Sequence, residues 1–258
     1  MIQMKNFSEQ EYIRINKFIA TNTKLSRRKV DEYILQGRVT INNITITDTG
    51  FKINPLKDKI RLDGELIRQS KRKVYILLNK PQKTITTVSD EKGRTTVVDL
   101  IKTKEKIFPI GRLDYDTSGL LILTNDGEFA NRMMHPTYKI QKTYEVKLSK
   151  PLEEKHKNYL IKGIILNGRK TLPCKIEYFS KDDKRKIKIT ISEGKNRQVK
   201  RMFEKFGYKI FKLHRSKYGN LSLGKLNPGE WRYLTQKEVL KLQSLTLTNN
   251  KENAIRTK

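Results

Sequence analysis

A chain of 258 residues with 56 Lys and Arg against 27 Asp and Glu carries a formal charge of +29. Such an excess repels itself in a compact fold unless a polyanion offsets it, so nucleic acid is the first partner to consider; lysine-favouring codon bias accounts for part of the excess but not for the arginine clusters. Hydrophobic residues make up 36% and are spread along the chain, which argues against disorder, and Cys174 is the single cysteine, so no internal disulfide can form.

The opening MIQMKNFSEQE has no signal-like apolar core, and no run approaches the ~18 apolar residues of a membrane span. The expectation is a reduced, cytoplasmic protein with no membrane association. Residues 11 to 37 read as two short helices, the first with Ile15, Phe18 and Ile19 on one face, the second with Val30, Ile34 and Leu35 and a stop at Gly37. Ser26 is placed to cap the second helix, yet Arg27, Arg28 and Lys29 crowd its first turn, where the helix dipole disfavours positive charge by roughly 0.3–1 kcal/mol each. A phosphate outside the helix resolves that conflict; a merely solvated face is the plainer reading. Val39 to Ile41 and Ile44 to Ile46 follow as a hairpin around Asn42-Asn43. The pattern RINKFIATNTKLSRRKVDEYILQGRVTINN resembles the S4-type RNA-binding domain, a small αL-shaped module. That places an RNA-binding domain at 11–60, a linker at 61–73 ending in the polar tract Arg68 to Lys73, and a second domain at 74–245.

The second domain opens with Val74 to Leu78 and alternates strands with turns. Thr84 to Val88 is β-rich, Leu120 to Thr124 is an apolar run, and Tyr144, Val146 and Leu148 alternate with polar neighbours, as do Ile187, Ile189 and Ile191. One helix starts near Asp126 with Phe129, Ala130, Met133 and Met134 inside, and another starts at Thr235 with Glu238 at its third position. The fold class is α+β, dominated by antiparallel pairing, and the polar tail at 246–258 is expected to be disordered.

Three chemistries compete for the carboxylates of GRLDYDTSGLL. A metal site lacks partners, because His135, His156 and His214 are far apart in sequence and one cysteine builds no zinc site. The segment Gly219 to Leu226 nearly spells a phosphate loop, but Leu226 stands where a magnesium-binding hydroxyl is needed, and the flanking pattern is strand and turn. The third option is direct action of a carboxylate on a sugar or base: Asp114, in a turn between Gly111 and Gly119 and ahead of an apolar strand, would be held at the edge of a rigid sheet. Spacing alone equally allows Asp114 and Asp116 to be ordinary turn formers. In ISEGKNRQVKRMF a strand runs through a Gly turn into a helix with Val199, Met202, Phe203 and Phe206 on its apolar face. Arg197 and Arg201 lie opposite that face and Lys200 at its margin, where a cation could reach a carboxylate in the cleft and keep it ionised. The remaining basic groups are available to phosphates.

GRLDYDTSGLLILTNDGEFANRMMHP, with LLNKP upstream and QKTYEVKL and ISEGKNRQVKRMF downstream, resembles the RsuA/RluB/RluE/RluF family of ribosomal-RNA pseudouridine synthases, in which an S4-type domain precedes the catalytic domain. The resemblance spans nearly the whole chain. It implies a catalytic domain on a mainly antiparallel mixed sheet with an active-site cleft, and conversion of a uridine to pseudouridine by cleavage of the N-glycosidic bond, rotation of the uracil and rejoining through carbon 5. It assigns catalysis to Asp114, base stacking and proton handling to Tyr144, and the ion-pair partnership with Asp114 to Lys200; Asp116 is left as a turn residue. Arg27, Arg28, Lys29, Arg112, Arg197, Gln198 and Arg201 are the expected RNA contacts. Two routes are open to Asp114: covalent attack on sugar or base, or abstraction of the ribose 2′ proton to give a glycal. No cofactor is expected. The partner is ribosomal RNA, large-subunit rather than small-subunit, either naked or in a pre-ribosomal particle, bound by a monomer without an obligate protein partner. The competing reading is a non-catalytic RNA-binding or ribosome-assembly protein.

Overall fold

The computed structural model describes residues 12–256 apart from 24, 69–71 and 181, with side chains described as far as Thr246. The opening segment 1–11 and the core of the polar linker at 69–71 lie outside the described residues. The chain divides into two compact units between Lys73 and Val74.

In the first unit, β1 (Ile13–Arg14) leads into α1 (Ile15–Asn22) and α2 (Arg27–Leu35), followed by β2 (Val39–Ile41), β3 (Ile44–Ile46), β4 (Lys52–Ile53), β5 (Ile60–Leu62) and β6 (Glu65–Leu66). Ser26 caps α2 as its sequence position predicts, its Oγ accepting from the Lys29 amide at 3.1 Å. Asn42 and Asn43 both take positive φ (50° and 70°), which gives the β2–β3 hairpin its tight primed turn. The sheet order is β3-β2-β5-β6, and β1 pairs with β4. Ile15, Phe18, Ile19, Val30, Ile34, Val39, Ile41, Ile53 and Ile60 form the core. Two details differ from the sequence reading. Leu35, assigned to the apolar face of α2, is exposed, because the helix ends there. Residues 61 to 66, read as linker, contribute to β5 and β6, since the Asp63-Gly64 turn folds Glu65–Leu66 back onto Arg61 and Leu62.

The second unit contains β7 (Tyr75–Lys80), β8 (Phe108–Pro109), β9 (Ser118–Thr124), α3 (Gly127–Met134), β10 (Lys142–Leu148), α4 (Glu154–Lys162), β11 (Ile165–Leu166), β12 (Arg169–Lys170), β13 (Lys175–Tyr178), β14 (Lys186–Ile191), α5 (Gln198–Glu204), β15 (Ile210–Tyr218), β16 (Leu221–Ser222), β17 (Trp231–Tyr233) and α6 (Gln236–Arg256). The main sheet runs β13-β14-β10-β15-β9-β7-β17, with β16 on β15 and β8 on β9. Only the β9–β15 pairing is parallel among its described pairs, so the sheet is mixed and mainly antiparallel.

The central strands β7 and β9 are buried on both faces: Ile76, Leu78, Leu121 and Leu123 enter one core with β10, β14 and α5, while Leu77, Leu120 and Ile122 enter another with α3 and α6. That is why their sequences are continuous apolar runs, whereas β10 and β14, with one buried face, alternate. Asp126 caps α3, accepting from the Glu128 and Phe129 amides at 3.1 Å each. Thr235 and Glu238 make a reciprocal capping box on α6, with Thr235 N to Glu238 Oε2 at 2.9 Å and Glu238 N to Thr235 Oγ1 at 3.3 Å.

The segment Thr84 to Val88 is not a strand. Ile85 makes a single bridge to Thr96, because the Thr86 side chain is committed to the backbone of Leu113. Met134 closes α3 with its side chain exposed. The tail expected to be disordered from Thr246 instead continues α6 to Arg256. No Gly or Pro interrupts it, and extending a formed helix fixes one residue per hydrogen bond, far cheaper than nucleating one.

Candidate active site

GRLDYDT forms the loop entering β9. The second residue of that strand, Gly119, has φ +112°, and a Cβ there would lie 2.3 Å from the Arg215 carbonyl oxygen. Only glycine lets β15 pair in parallel at this point, with Arg215 opposite Gly119. The motif glycine therefore brings β15, and Arg215 with it, against the loop.

The loop is strapped from the segment after β7. Lys80 is wholly buried, and its Nζ donates to three carbonyls, of Pro81 (3.0 Å), Asp114 (3.1 Å) and Thr117 (2.8 Å). Thr86 Oγ1 donates to the Leu113 carbonyl at 2.6 Å, Gln82 Nε2 to the Asp116 carbonyl at 2.9 Å, and the Lys83 amide to the Tyr115 carbonyl at 2.8 Å. Thr117 N closes the turn on Asp114 O at 3.0 Å. These bonds leave the Asp114 side chain free of any need to hold its own backbone. Burial pulls the Lys80 ammonium down to about 8, the charges of Asp116 and Asp114 opposing and that of Lys200 adding to the fall.

Lys200 comes to the same place from α5. Arg197, in the left-handed region (φ 48°), turns the chain into the helix, whose Val199, Met202 and Phe203 enter the core. Lys200 is buried rather than marginal. Its Nζ lies 3.4 Å from Asp114 Oδ2 and donates to Asp116 Oδ1. Asp116 is thus more than the turn residue of the sequence reading: its carboxylate is a direct partner of Lys200. Desolvation pushes the Asp116 carboxyl up, but the hydrogen bond and charge of Lys200 outweigh it and hold it below its ordinary value. The two carboxylates differ in access. Asp114 lines a cleft of about 320 Å³ whereas Asp116 does not, and their side chains are 34% and 65% exposed. Asp114 faces the enclosed space and Asp116 faces outward.

Tyr144, Lys142, Arg215 and Arg112 line the cleft with Asp114 and Lys200. Tyr144 stands on β10 between Ile189 and Arg215, just past an irregularity in register, and is buried. Lys142 Nζ donates to the Ile140 carbonyl at 2.9 Å, and burial with the Arg215 charge lowers it to about 8 against the pull of Glu193. Among the described residues no cluster of His, Cys, Asp and Glu is arranged to hold a metal ion; the paired aspartates share a lysine instead.

The expected RNA contacts separate into kinds. Arg27, Arg28 and Lys29 are exposed in the first unit, Lys29 paired with Glu32 at 2.6 Å and Arg27 donating to Asn16 Oδ1 at 3.1 Å. Arg112 and Arg197 are exposed on the cleft lining, Arg197 leaning on Glu204 at 3.4 Å, and Arg201 donates to the Asn196 carbonyl at 3.3 Å. Gln198 is buried on the cleft lining, its Nε2 donating to Glu193 Oε1 at 2.6 Å and its Oε1 accepting from the Lys195 amide at 3.0 Å, so both ends of the amide brace the turn before α5. Lys80 and Arg215 went unnoticed in the sequence. The signals were a lysine closing an apolar strand, and an arginine two residues after Leu213, on the buried face of β15.

The cleft thus brings together an acidic group, a cation beside it and an aromatic wall. The family model described as RNA pseudouridylate synthase matches residues 74–205, and that of the S4 domain matches residues 13–60. The chain is 44% identical over 236 residues to the ribosomal large subunit pseudouridine synthase B of Bacillus subtilis, covering 90% of this chain and 96% of that one. It is 36% identical over 242 residues to the dual-specificity RNA pseudouridine synthase RluF of Escherichia coli, covering 93% and 81%. A crystal structure of a pseudouridylate synthase superposes with a TM-score of 0.65 at 36% identity, covering 89% of this chain and 99% of that one. The chain belongs to the RNA pseudouridine synthases, in the branch that carries an S4 domain ahead of the catalytic domain. It is accordingly an isomerase acting on uridine in RNA.

Proposed function

We propose that the protein converts one uridine of ribosomal RNA, in the large subunit in preference to the small, to pseudouridine, with Asp114 as the catalytic residue. The observation that carries this reading is the Asp114 carboxylate, on the cleft wall and 3.4 Å from the buried Lys200 ammonium. The name of the Bacillus subtilis relative, which specifies the ribosomal large subunit, supports the choice of RNA.

The target uridine must leave its stack to reach a group inside a cleft. Tyr144 supplies a face for the extruded base, and stacking of this kind contributes ~1–3 kcal/mol. Asp114 then acts at the sugar in one of two ways. As nucleophile it bonds to C1′ while the N1–C1′ pair leaves with the uracil; as base it takes the C2′ proton, and the pair left behind forms the glycal double bond as uracil departs. The uracil turns and C5 bonds to C1′, as the Asp114–C1′ bond breaks in the first route and as Asp114 returns the proton to C2′ in the second; the C5 proton is then lost and N1 gains one, so the product is an isomer of the substrate. Lys200, held between Asp114 and Asp116, fixes the carboxylate and offsets charge that would otherwise repel the RNA. The S4-type domain, with its Arg27–Lys29 patch, positions the RNA in a cytoplasmic monomer.

Asp114→Asn tests this. Release of tritium from carbon-5-tritiated uridine in the RNA should fall by ~10²–10⁴ or more while RNA affinity stays within a few-fold. Pseudouridine mapping of ribosomal RNA with and without the protein should show one site in the large-subunit RNA. An Asp114→Asn protein with full activity sinks the catalytic assignment, and a lost site in small-subunit RNA sinks the choice of substrate.

A further inference from the structure

Three buried side-chain polar atoms among the described residues have no hydrogen-bond partner: Asn79 Oδ1, Thr117 Oγ1 and Arg215 Nη2. Two of the three belong to residues on the wall of the active-site cleft. Orphaned donors are rare in folded proteins because each forfeits the water it gave up, so their concentration in one cleft calls for a ligand.

Arg215 is the more informative of the two. It is 3% exposed, and its Nε is fixed by the Leu120 carbonyl at 2.7 Å. Its guanidinium carbon lies 5.2 Å from the centre of the Tyr218 ring, and Lys142 Nζ lies 5.4 Å from the same centre. No carboxylate forms an ion pair with Arg215 among the described residues. A buried cation anchored at one nitrogen, with another nitrogen unsatisfied and a second cation nearby, is a poised donor for an acceptor that arrives with the substrate. Cross-strand register places Arg215 opposite Tyr144, and opposed residues of an antiparallel pair project to the same face. Whatever stacks on Tyr144 therefore presents its edge towards Arg215. An RNA phosphate stays at the mouth of a cleft, with the solvated backbone, whereas an extruded base goes to its floor.

We infer that Arg215 is a specificity-determining residue whose Nη2 donates to a carbonyl oxygen of the extruded uracil. This rests on the pseudouridine synthase reading of the cleft. Read at O4, the contact selects uracil, because a cytosine presents its 4-amino group there, sets donor against donor and leaves the guanidinium unsatisfied; O2 is common to both bases.

The test uses the full-length chain and a ribosomal RNA fragment containing the mapped target, with that uridine kept, replaced by 2-thiouridine, or replaced by 4-deoxyuridine, which lacks O4. The wild-type protein must first form pseudouridine in the unaltered fragment; failure there overturns the assigned function and this inference with it. With activity established, dissociation constants are measured in the Asp114→Asn background. The 4-deoxyuridine fragment should bind roughly 10- to 100-fold more weakly than uridine, which makes O4 the oxygen that is read; a loss confined to 2-thiouridine overturns the specificity role, because cytosine carries the same O2. Adding Arg215→Met should weaken the uridine fragment to the level of the 4-deoxyuridine fragment and leave an abasic fragment unaffected. Equal binding of uridine and both analogues overturns the inference with no Arg215 variant needed, so a variant that misfolds does not protect it. Arg215→Met weakening the uridine and abasic fragments alike, with a shallower salt dependence, makes Arg215 a phosphate contact and overturns it too.

Discussion

The cations of the two units live in opposite environments. Arg27, Arg28 and Lys29 stand in water on the first turn of α2, while Lys80, Lys200 and Arg215 of the second unit are each less than a tenth exposed. An exposed cation attracts a polyanion at a distance and is screened by salt. A buried one is costly to desolvate, roughly several kcal/mol, and persists only where fixed oxygens or charges compensate. Lys80 has three carbonyls and Lys200 two carboxylates. On the function proposed above, one kind of charge draws the RNA in and the other holds the reacting carboxylate in place; the net charge of +29 conceals the distinction.

After loss of Asp114 itself, the largest effect should come from Lys200→Met. Two carboxylates would then share one loop without the cation that pairs with both, so kcat should fall by ~10² or more, with Lys200→Arg recovering part of it. A Lys200→Met protein with kcat within a few-fold of wild type would show that its burial serves folding alone.

The next effect separates geometry from stability by pH. Lys80 and Lys142 both sit near 8, below the ordinary lysine value of 10.5. As pH rises through about 8 each ammonium loses its charge; Lys80 loses one of the three protons that hold the loop, so kcat/KM should decline over that range. Stability moves the other way. Between about 8 and 10.5 the unfolded chain binds more protons at these positions than the native one, so their contribution to stability rises with pH, and their penalty is full below about 8. Activity profiles and denaturant unfolding from pH 7 to 9.5 should therefore diverge. In Lys142→Met the fall near pH 8 should persist if Lys80 carries it. A decline in activity that tracks unfolding would remove Lys80 from this role.

Much of this was legible in the sequence, and the exceptions share a cause. Periodicity and caps located α2, α3 and α6 at their starts, through Ser26, Asp126 and the Thr235–Glu238 box, because those signals lie within four residues of one another. The GRLD, KTY and RQVKRM segments pointed to Asp114, Tyr144 and Lys200, which meet in one cleft. What escaped depended on partners far away in sequence. Lys80 finds the Asp114 and Thr117 carbonyls 34 and 37 residues on, and Arg215 is placed by a parallel pairing to Gly119 that no local pattern encodes. Asp116 looked like an isolated turn former until α5 brought Lys200, 84 residues downstream, onto its carboxylate. Nor does any local pattern announce that the Gln198 amide braces the turn before α5.

The smallest effect belongs to the exposed patch, and it sharpens the comparison most directly. Each cation that neutralises a phosphate adds about 0.9 to the slope of log affinity against log salt on duplex, and about 0.7 on single strands. Replacing Arg27, Arg28 and Lys29 together by Gln should reduce the slope by about 1–2 rather than by the full ~2.7 on duplex, because Lys29 is already paired with Glu32 and Arg27 is tethered to Asn16. Arg28, which has no such partner among the described residues, should account for the largest single share. Because these side chains lie outside the unit that holds Asp114, kcat/KM at low RNA should fall several-fold while kcat at saturating RNA moves much less. A triple variant that lowers kcat as strongly as kcat/KM would mean that the exposed cations help set the geometry of the reaction, and the division between attracting and positioning charge would not hold for this protein.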